Sequence, residues 1–331
     1  MQIHAIVEHP DHVCCRYRLA ALIPSLALLG LQLNLHTLPI NPLSRLRLFI
    51  KMRGKKVILQ RKLLSWLEIS LLRQNCSWLA FDFDDAIFLR DSYSQKGHYD
   101  PRRLARFKFL MHTVDAVFAG NEFLAEQARI CGAKPNGIVI IPTCINPNLY
   151  FKDNRVYKSP REGLQLVWIG SSSTLQGLEM SRDLFEEIGK QLPETTLKII
   201  SDRFPSFKSL RIQPVSWSAQ TEALELATAD IGISWIPDDP WSRGKCGLKV
   251  LQYMAAGLPV IANPVGVHSE MIRRGIEGFL PLTTHEWITH LNDFSLDRSL
   301  QISIGKAART RVEDHYSISN AANLVYQTTL K

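Results

Sequence analysis

Two stretches of the chain concentrate the residues that could do chemistry. In FDFDDAIF (81–88), the carboxylates of Asp82, Asp84 and Asp85 stand at the end of an apolar run. Carboxylates so spaced can bind a divalent metal, act as a general base or accept hydrogen bonds from hydroxyls, while a helix N-cap or a solvated turn is the plain structural alternative. In GKCGLKVLQYMAAGLPVIANPVG (244–266), Lys245, Lys249 and Gln252 interrupt an otherwise apolar segment. Leu248, Leu251, Met254 and Ala255 fall at helical spacing and predict a helix closed by Gly257. PVIAN then reads as a short buried strand and PVG as a turn. A strand that begins just after the helix ends places Gly244, Lys245 and Lys249 near the open edge of a parallel sheet, where phosphates bind. Gly170, Ser171 and Ser172, directly after another strand pattern, can offer N–H groups and hydroxyls to such phosphates or form an ordinary turn. Arg16 and Arg18 follow the first strand in EHPDHVCCRYR and are expected beside a helix N-terminus, where a cation is unfavourable unless an anion meets it.

Strand patterns alternating with helix patterns supply the frame for these residues. IHAIV, LQLNLHTL, KVILQ, WLAFDF, AVFAG and GIVIIPT in the first half, and LQLVWIGS, TLKIIS, ADIGISWIP and PVIANPVG in the second, are short and apolar. RLAALIPSLALLG (18–30) reads as one amphipathic helix, with further helices at about 179–191 and 219–228. The alternation predicts an α/β protein with two parallel sheets, each covered by helices on both faces. A length of 331 residues also favours two domains. The polar stretch KDNRVYKSPREG (152–163) is the expected linker.

Composition narrows the class. The net charge of +8 sits in the first third: residues 1–110 hold 17 Lys and Arg against 8 Asp and Glu, and there is no acid from His12 to Leu67. From Arg45 to Lys62 the cations are interleaved with Leu46, Leu48, Phe49, Ile50 and Val57. That mixture suits either a solvated basic face or an anionic membrane surface. Sparse aromatics and the absence of a recognised motif argue against nucleic acid. Six scattered cysteines lack metal-ligand spacing and fit a reducing, cytoplasmic setting. No signal peptide and no uncharged span of about 20 apolar residues is read, so any membrane association is expected to be peripheral.

The segment 244–280 resembles the retaining glycosyltransferases of family 4 (glycosyl transferases group 1), which have the GT-B fold. The lysine, the helix, YMAAG followed by PVIA, the VG turn, an acidic residue and then GFL carry the likeness. AVFAGNEFLAEQA (116–128), VIIPTCINPNLYF (139–151), VWIGSSST (167–174) and the C-terminal YSISNAANLVYQTTL are similar to further parts of that family. The resemblance implies two Rossmann-like domains facing each other across a cleft: an acceptor-side domain at 1–155, a nucleotide-sugar domain at 156–310, and a C-terminal helix at 311–331 crossing back. It implies transfer of a sugar, with retention, from a nucleoside-diphosphate sugar, with no metal and no further cofactor, and the basic segment from Arg45 to Lys62 adds the expectation of a lipid-linked or envelope glycan acceptor presented at an anionic membrane. Lys249 matches the family's diphosphate-binding lysine, with Arg243 and Lys245 near it in sequence. Gly266 and Glu270 match the turn and the acid that follow. Asp84 and Asp85 would position donor or acceptor hydroxyls, and Arg16 and Arg18 would meet an acceptor or donor phosphate. The family's pair of glutamates eight positions apart is here Gly244 and Gln252. Gln252 can still bond a ribose hydroxyl through its amide, and on that reading Gln252→Glu should hold or raise nucleotide affinity. Gly244 has no side chain to offer. That departure keeps open a degenerate homologue that binds a sugar nucleotide or a partner, and a nucleotide-sugar epimerase is a further alternative.

Overall fold

The structure is a computed structural model that describes residues 1–151 and 163–330. The expected linker, 152–163, lies outside the described residues apart from Gly163. The chain divides into two compact units. One comprises Met1–Cys144, Asp239–Cys246 and Ile318–Lys331, and the other Ile145–Asp238 and Gly247–Ser317. This division differs from the expected boundaries at three places. Ile145–Phe151 and the chain from 311 to Ser317 group with the second unit, and Asp239–Cys246, expected in the nucleotide-sugar domain, groups with the first.

The first unit is built on six parallel strands: β1 (Gln2–Val7), β2 (Gln32–Thr37), β3 (Lys56–Gln60), β4 (Trp78–Phe83), β5 (Ala116–Ala119) and β6 (Ile138–Ile140), in the order β2-β1-β3-β4-β5-β6. Ile3, Ile58, Ala80 and Phe118 pack on one face of the sheet with Ala321, Ala322 and Val325 of the helix Ile318–Leu330. Val57, Leu59, Phe81 and Phe83 join Phe107, Leu110 and Met111 in a separate cluster. Burial on both faces explains why these strands read as continuous apolar runs. In place of one helix over 18–30, a short helix Val13–Arg18 ends where that helix was expected to begin, and a 3₁₀ turn at Ala20–Leu22 leads into a second short helix, Ile23–Leu28. Pro24 is the physical reason. Lacking an N–H, it starts a helix and cannot continue one.

The second unit carries β7 (Gln165–Ile169), β8 (Thr196–Ser201), β9 (Arg211–Ser216), β10 (Ile231–Ser234), β11 (Val260–Ala262) and β12 (Gly278–Phe279), all parallel, in the order β12-β11-β10-β7-β8-β9. This is the doubly wound order in which the chain reverses its direction of growth between β7 and β10, leaving a crevice at their carboxyl ends. β9 has no counterpart in the sequence reading because RIQPVS is polar, largely exposed and contains Pro214, features tolerated only at a sheet edge. The helix Leu248–Ala255 begins after Gly247 (φ 66°) and gives way to Gly257 (φ 69°), both in the left-handed region that glycine tolerates.

Candidate functional site

In the second unit, Gly170 follows the carboxyl end of β7, beside the switch point of the sheet. The helix Leu248–Ala255 carries Lys249 to this place. Its Nζ donates to Thr174 Oγ1 at 3.2 Å and lies 4.0 Å from the centre of the Trp168 ring. These side chains crowd Gly170: a Cβ there would lie 2.8 Å from Nζ and 2.7 Å from Thr174 Oγ1, so they would have to shift to admit one. The structure therefore brings together Gly170 and Lys249 as expected, and adds Thr174 and Trp168. The other expected donors of the loop are partly engaged. The N–H of Gly170 goes to Ile200 O and that of Ser172 to Asp202 Oδ1, so neither is open to a phosphate. Ser171 Oγ pairs with Ser173 Oγ at 2.7 Å on the exposed rim.

His268 lies at 2% exposure after the Gly266 turn (φ 54°). Its Nδ1 sits 2.9 Å from Asn263 O, a pure acceptor, so Nδ1 carries the proton and Nε2 accepts from Ser234 Oγ at 3.1 Å. Burial, reinforced by the charge of Lys249, pushes its pKa down to about 4 despite the bond to Asn263. The ring is thus neutral and adds no positive charge beside Lys249. Glu270 is exposed, and its carbonyl accepts from Arg311.

Gln252 is buried, and its Nε2 donates to Glu222 Oε1 at 2.8 Å. Tyr150 O–H donates to the same oxygen at 2.7 Å and Trp217 Nε1 to Oε2 at 2.8 Å. A carboxylate thus stands beside position 252, carried by another element at the start of the helix Glu222–Ala227 and engaged by three internal donors. Glu222 was not legible as a partner because thirty residues separate it from Gln252 and it reads as an ordinary first-turn acid.

In the first unit the carboxylates of FDFDDAIF divide their roles. Asp82, on β4, is buried and clamped by Arg18, with Nε at 3.0 Å and Nη2 at 2.6 Å from Oδ1, while Gln60 Nε2 donates to Oδ2 at 2.9 Å. Arg18 Nη1 also donates to Ile141 O at 2.8 Å. The expectation that Arg18 meets a ligand phosphate is corrected: at 3% exposure its guanidinium is fully engaged inside the unit. Arg16 is half-buried near the Tyr17 ring. Both arginines lie in the last turn of Val13–Arg18, not at a helix N-terminus, so the helix dipole favours their charge and the argument for an anion partner lapses.

Asp84 and Asp85 are bridged by Arg61, whose Nη1 donates to Asp84 Oδ1 and Nη2 to Asp85 Oδ2, each at 2.7 Å. Burial raises both carboxyls. For Asp84 the charges of Arg61 and Arg18 outweigh it and the pKa is lowered, whereas for Asp85 burial and the charge of Asp84 prevail over Arg61 and Lys245 and the pKa is raised. Two neighbouring carboxyls whose surroundings push them in opposite directions are an arrangement suited to hydroxyl binding or proton transfer. Arg61, read from sequence as part of a surface-facing basic segment, is the one non-glycine residue among those described with a left-handed φ (55°). A strained backbone holding an ion pair is a functional signal that only coordinates reveal.

Gly244 and its neighbours, expected at the donor, belong to the first unit. A Cβ on Gly244 would lie 2.7 Å from Ala86 Cβ and 2.8 Å from Ala86 N, so the position is closed to a glutamate by packing. Lys245 Nζ lies 5.6 Å from the Trp241 ring centre, and Asn121 Nδ2 holds the carbonyls of Arg243 and Lys245. The side chain of Arg243 is exposed. Among the described residues no group of three or more His, Cys, Asp or Glu is disposed to hold a metal ion.

Two all-parallel Rossmann-like units in one chain are the architecture of the GT-B fold class. Within that class, residues 163–293 match the family model described as Glycosyl transferases group 1, bearing out the resemblance read from 244–280. Sulfoquinovosyl transferase SQD2 of Arabidopsis thaliana is 29% identical over 151 residues, covering 42% of this chain and only 29% of that relative's length. Sucrose-phosphate synthase from Thermosynechococcus elongatus superimposes with a TM-score of 0.76 at 17% identity, over 99% of this chain and 98% of that one. Anabaena HepE, solved in complex with UDP-glucose, gives a TM-score of 0.68 at 13% identity, over 99% of each chain. At these identities the structural likeness is one of fold.

Proposed function

We propose that the chain is a glycosyltransferase that moves a sugar, with retention, from a nucleoside-diphosphate sugar to a lipid-linked or envelope glycan acceptor. The observation that carries this reading is Lys249 Nζ, fixed by Thr174 and Trp168 next to Gly170 at the carboxyl edge of β7. A leaving nucleoside diphosphate gains negative charge as the glycosidic bond breaks, and a pre-placed ammonium stabilises that charge without reorganising. The charge is met by this chain's own cation, so the reading needs neither a metal nor another cofactor. The UDP-glucose complex of HepE supports a nucleotide-sugar donor. With retention, the leaving phosphate itself can take the acceptor proton on the same face, which leaves Asp84 and Asp85 to position hydroxyls. The acceptor reading is supported by the helix Pro42–Lys51, which exposes Leu43, Leu46 and Ile50 beside Arg47 and Lys51, as suits peripheral contact with an anionic membrane. No helix among the described residues is long and apolar enough to cross a membrane.

Thermal-shift titration with UDP-, GDP- and ADP-sugars, followed by a transfer assay, tests the proposal. Stabilisation by one nucleotide sugar that is lost in Lys249→Ala supports it, and indifference to all three removes it. A second reading, a homologue that binds a sugar nucleotide without turnover, is favoured by one observation: position 244 is a glycine that packing closes to a glutamate. Donor binding without transfer or hydrolysis would select it.

A further inference from the structure

The first unit contains a cavity of about 560 Å³ near the carboxyl ends of β1 and β3, with Arg61, Lys62, Arg102, Arg103 and Arg106 on its walls. Its two carboxylates are already engaged. Glu8 pairs with Lys62 at 2.8 Å. Asp100 pairs with Arg90 at 3.1 Å and caps the helix Pro101–Thr113 through the N–H groups of Arg102 and Arg103. Arg61 is held by Asp84 and Asp85. Arg102 and Arg106, one helical turn apart, pair with no carboxylate among the described residues; Arg106 reaches only the carbonyl of Leu63, at 3.4 Å. Arg102 and Arg103 stand in the first turn of this helix, where their charge at the positive end of the dipole is offset by the Asp100 N-cap, which Arg90 and Arg103 share. Ile87 and Trp241 give the cavity an apolar wall, and its volume exceeds what a phosphate alone would fill. A neighbouring cavity of about 460 Å³ shares Lys62 and Arg106 and is walled by Leu38, Ile40 and Arg45, the last on the membrane-suited helix.

We propose that this cavity holds the phosphate of a phosphate-bearing acceptor, with Arg102 and Arg106 as its ligands and the apolar wall against the group that the phosphate carries. The proposal rests on the transferase reading and gives that reading an acceptor class. Paired guanidinium groups suit phosphate because each presents a planar fork of donors. The same chemistry is offered by a lipid-linked diphosphate and by a soluble phosphorylated sugar.

Calorimetric titration with inorganic pyrophosphate is made on Lys249→Ala, which silences the proposed donor contact, and on Lys249→Ala combined with Arg102→Gln and Arg106→Gln. Both arginines are exposed on a helix surface, and circular dichroism checks that the fold is kept. Affinity should fall about tenfold or more with the arginines removed, the scale of lost charge-assisted bonds. Equal affinity, or no binding to Lys249→Ala, overturns the proposal. The sources are separated by sedimentation with phosphatidylcholine vesicles with and without a polyprenyl diphosphate, and by titration with glucose 6-phosphate. Recruitment that needs the diphosphate and the two arginines identifies a lipid carrier, and sugar-phosphate binding that needs the arginines identifies a soluble acceptor. Indifference of both probes to the arginines overturns the site. UDP binding to the chain with Lys249 intact is measured alongside. If UDP fails to bind while pyrophosphate still depends on Arg102 and Arg106, the donor reading falls and this one stands. If UDP binds and that dependence is absent, only this one falls.

Discussion

Lys249 and His268 show how one site sets the charge of its parts by burial. The lysine is half-buried against Trp168 and Thr174, while the adjacent histidine is sealed and neutral. Removing the ammonium should cost about 2–4 kcal/mol of diphosphate binding or transition-state stabilisation. Lys249→Ala should therefore turn over tens to hundreds of times more slowly with an unchanged circular dichroism spectrum, and wild-type rates in that variant would discard the donor assignment. For His268 the sign follows from linkage. Its folded pKa of about 4 lies below the unfolded value of about 6.5, so the unfolded chain binds the proton first. Stability is full above pH 6.5, declines as pH falls toward 4, and below that is lower by about 3 kcal/mol. Urea midpoints measured at pH 7 and pH 4.5 should differ less in His268→Gln than in the wild type.

At the scale of elements, the helix Leu248–Ala255 turns Lys249 toward β7 and Gln252 into a network with Glu222, Tyr150 and Trp217. That network reverses the outcome expected for Gln252→Glu from sequence. A second carboxylate at hydrogen-bond distance from Glu222 sets like charges together in a buried place, and replaces the donor that Glu222 now receives by an acceptor. The substitution should lower stability by about 2–4 kcal/mol and weaken nucleotide binding, read by denaturation and by titration with UDP. Unaltered stability with tighter UDP binding would mean that Gln252 and Glu222 are not partners.

At the scale of the whole molecule, the positive charge is less uniform in purpose than its count. Arg61 serves Asp84 and Asp85, Arg45 pairs with Glu68, Lys62 with Glu8, and Lys56 reaches Thr329 O over the Trp78 ring. Arg47, Lys51 and Arg53 remain exposed beside Leu43, Leu46 and Ile50. Each such cation near anionic lipid contributes about 1 kcal/mol, screened over about 8 Å at physiological salt. Sedimentation with anionic vesicles should be strong at low salt, weaker at high salt, and largely lost when Leu43, Leu46 and Ile50 become serine or when Arg47, Lys51 and Arg53 do. Equal partitioning to neutral and anionic vesicles would leave the segment an ordinary solvated face.

The sequence by itself determined the two parallel sheets and the place of Lys249, because buried parallel strands are short apolar runs and a glycine-closed helix before a strand is a local pattern. WLAFDF and TLKIIS coincide with β4 and β8 for that reason. Only the tertiary structure decided which polar residues meet. Arg18 and Asp82 are 64 positions apart, Gln252 and Glu222 are 30 apart, and Arg61 finds Asp84 and Asp85 through a left-handed turn that no residue type announces. The edge strand β9 and the closure of Gly244 against Ala86 were hidden for the same physical reason: both depend on what lies alongside in space, which spacing along the chain does not encode.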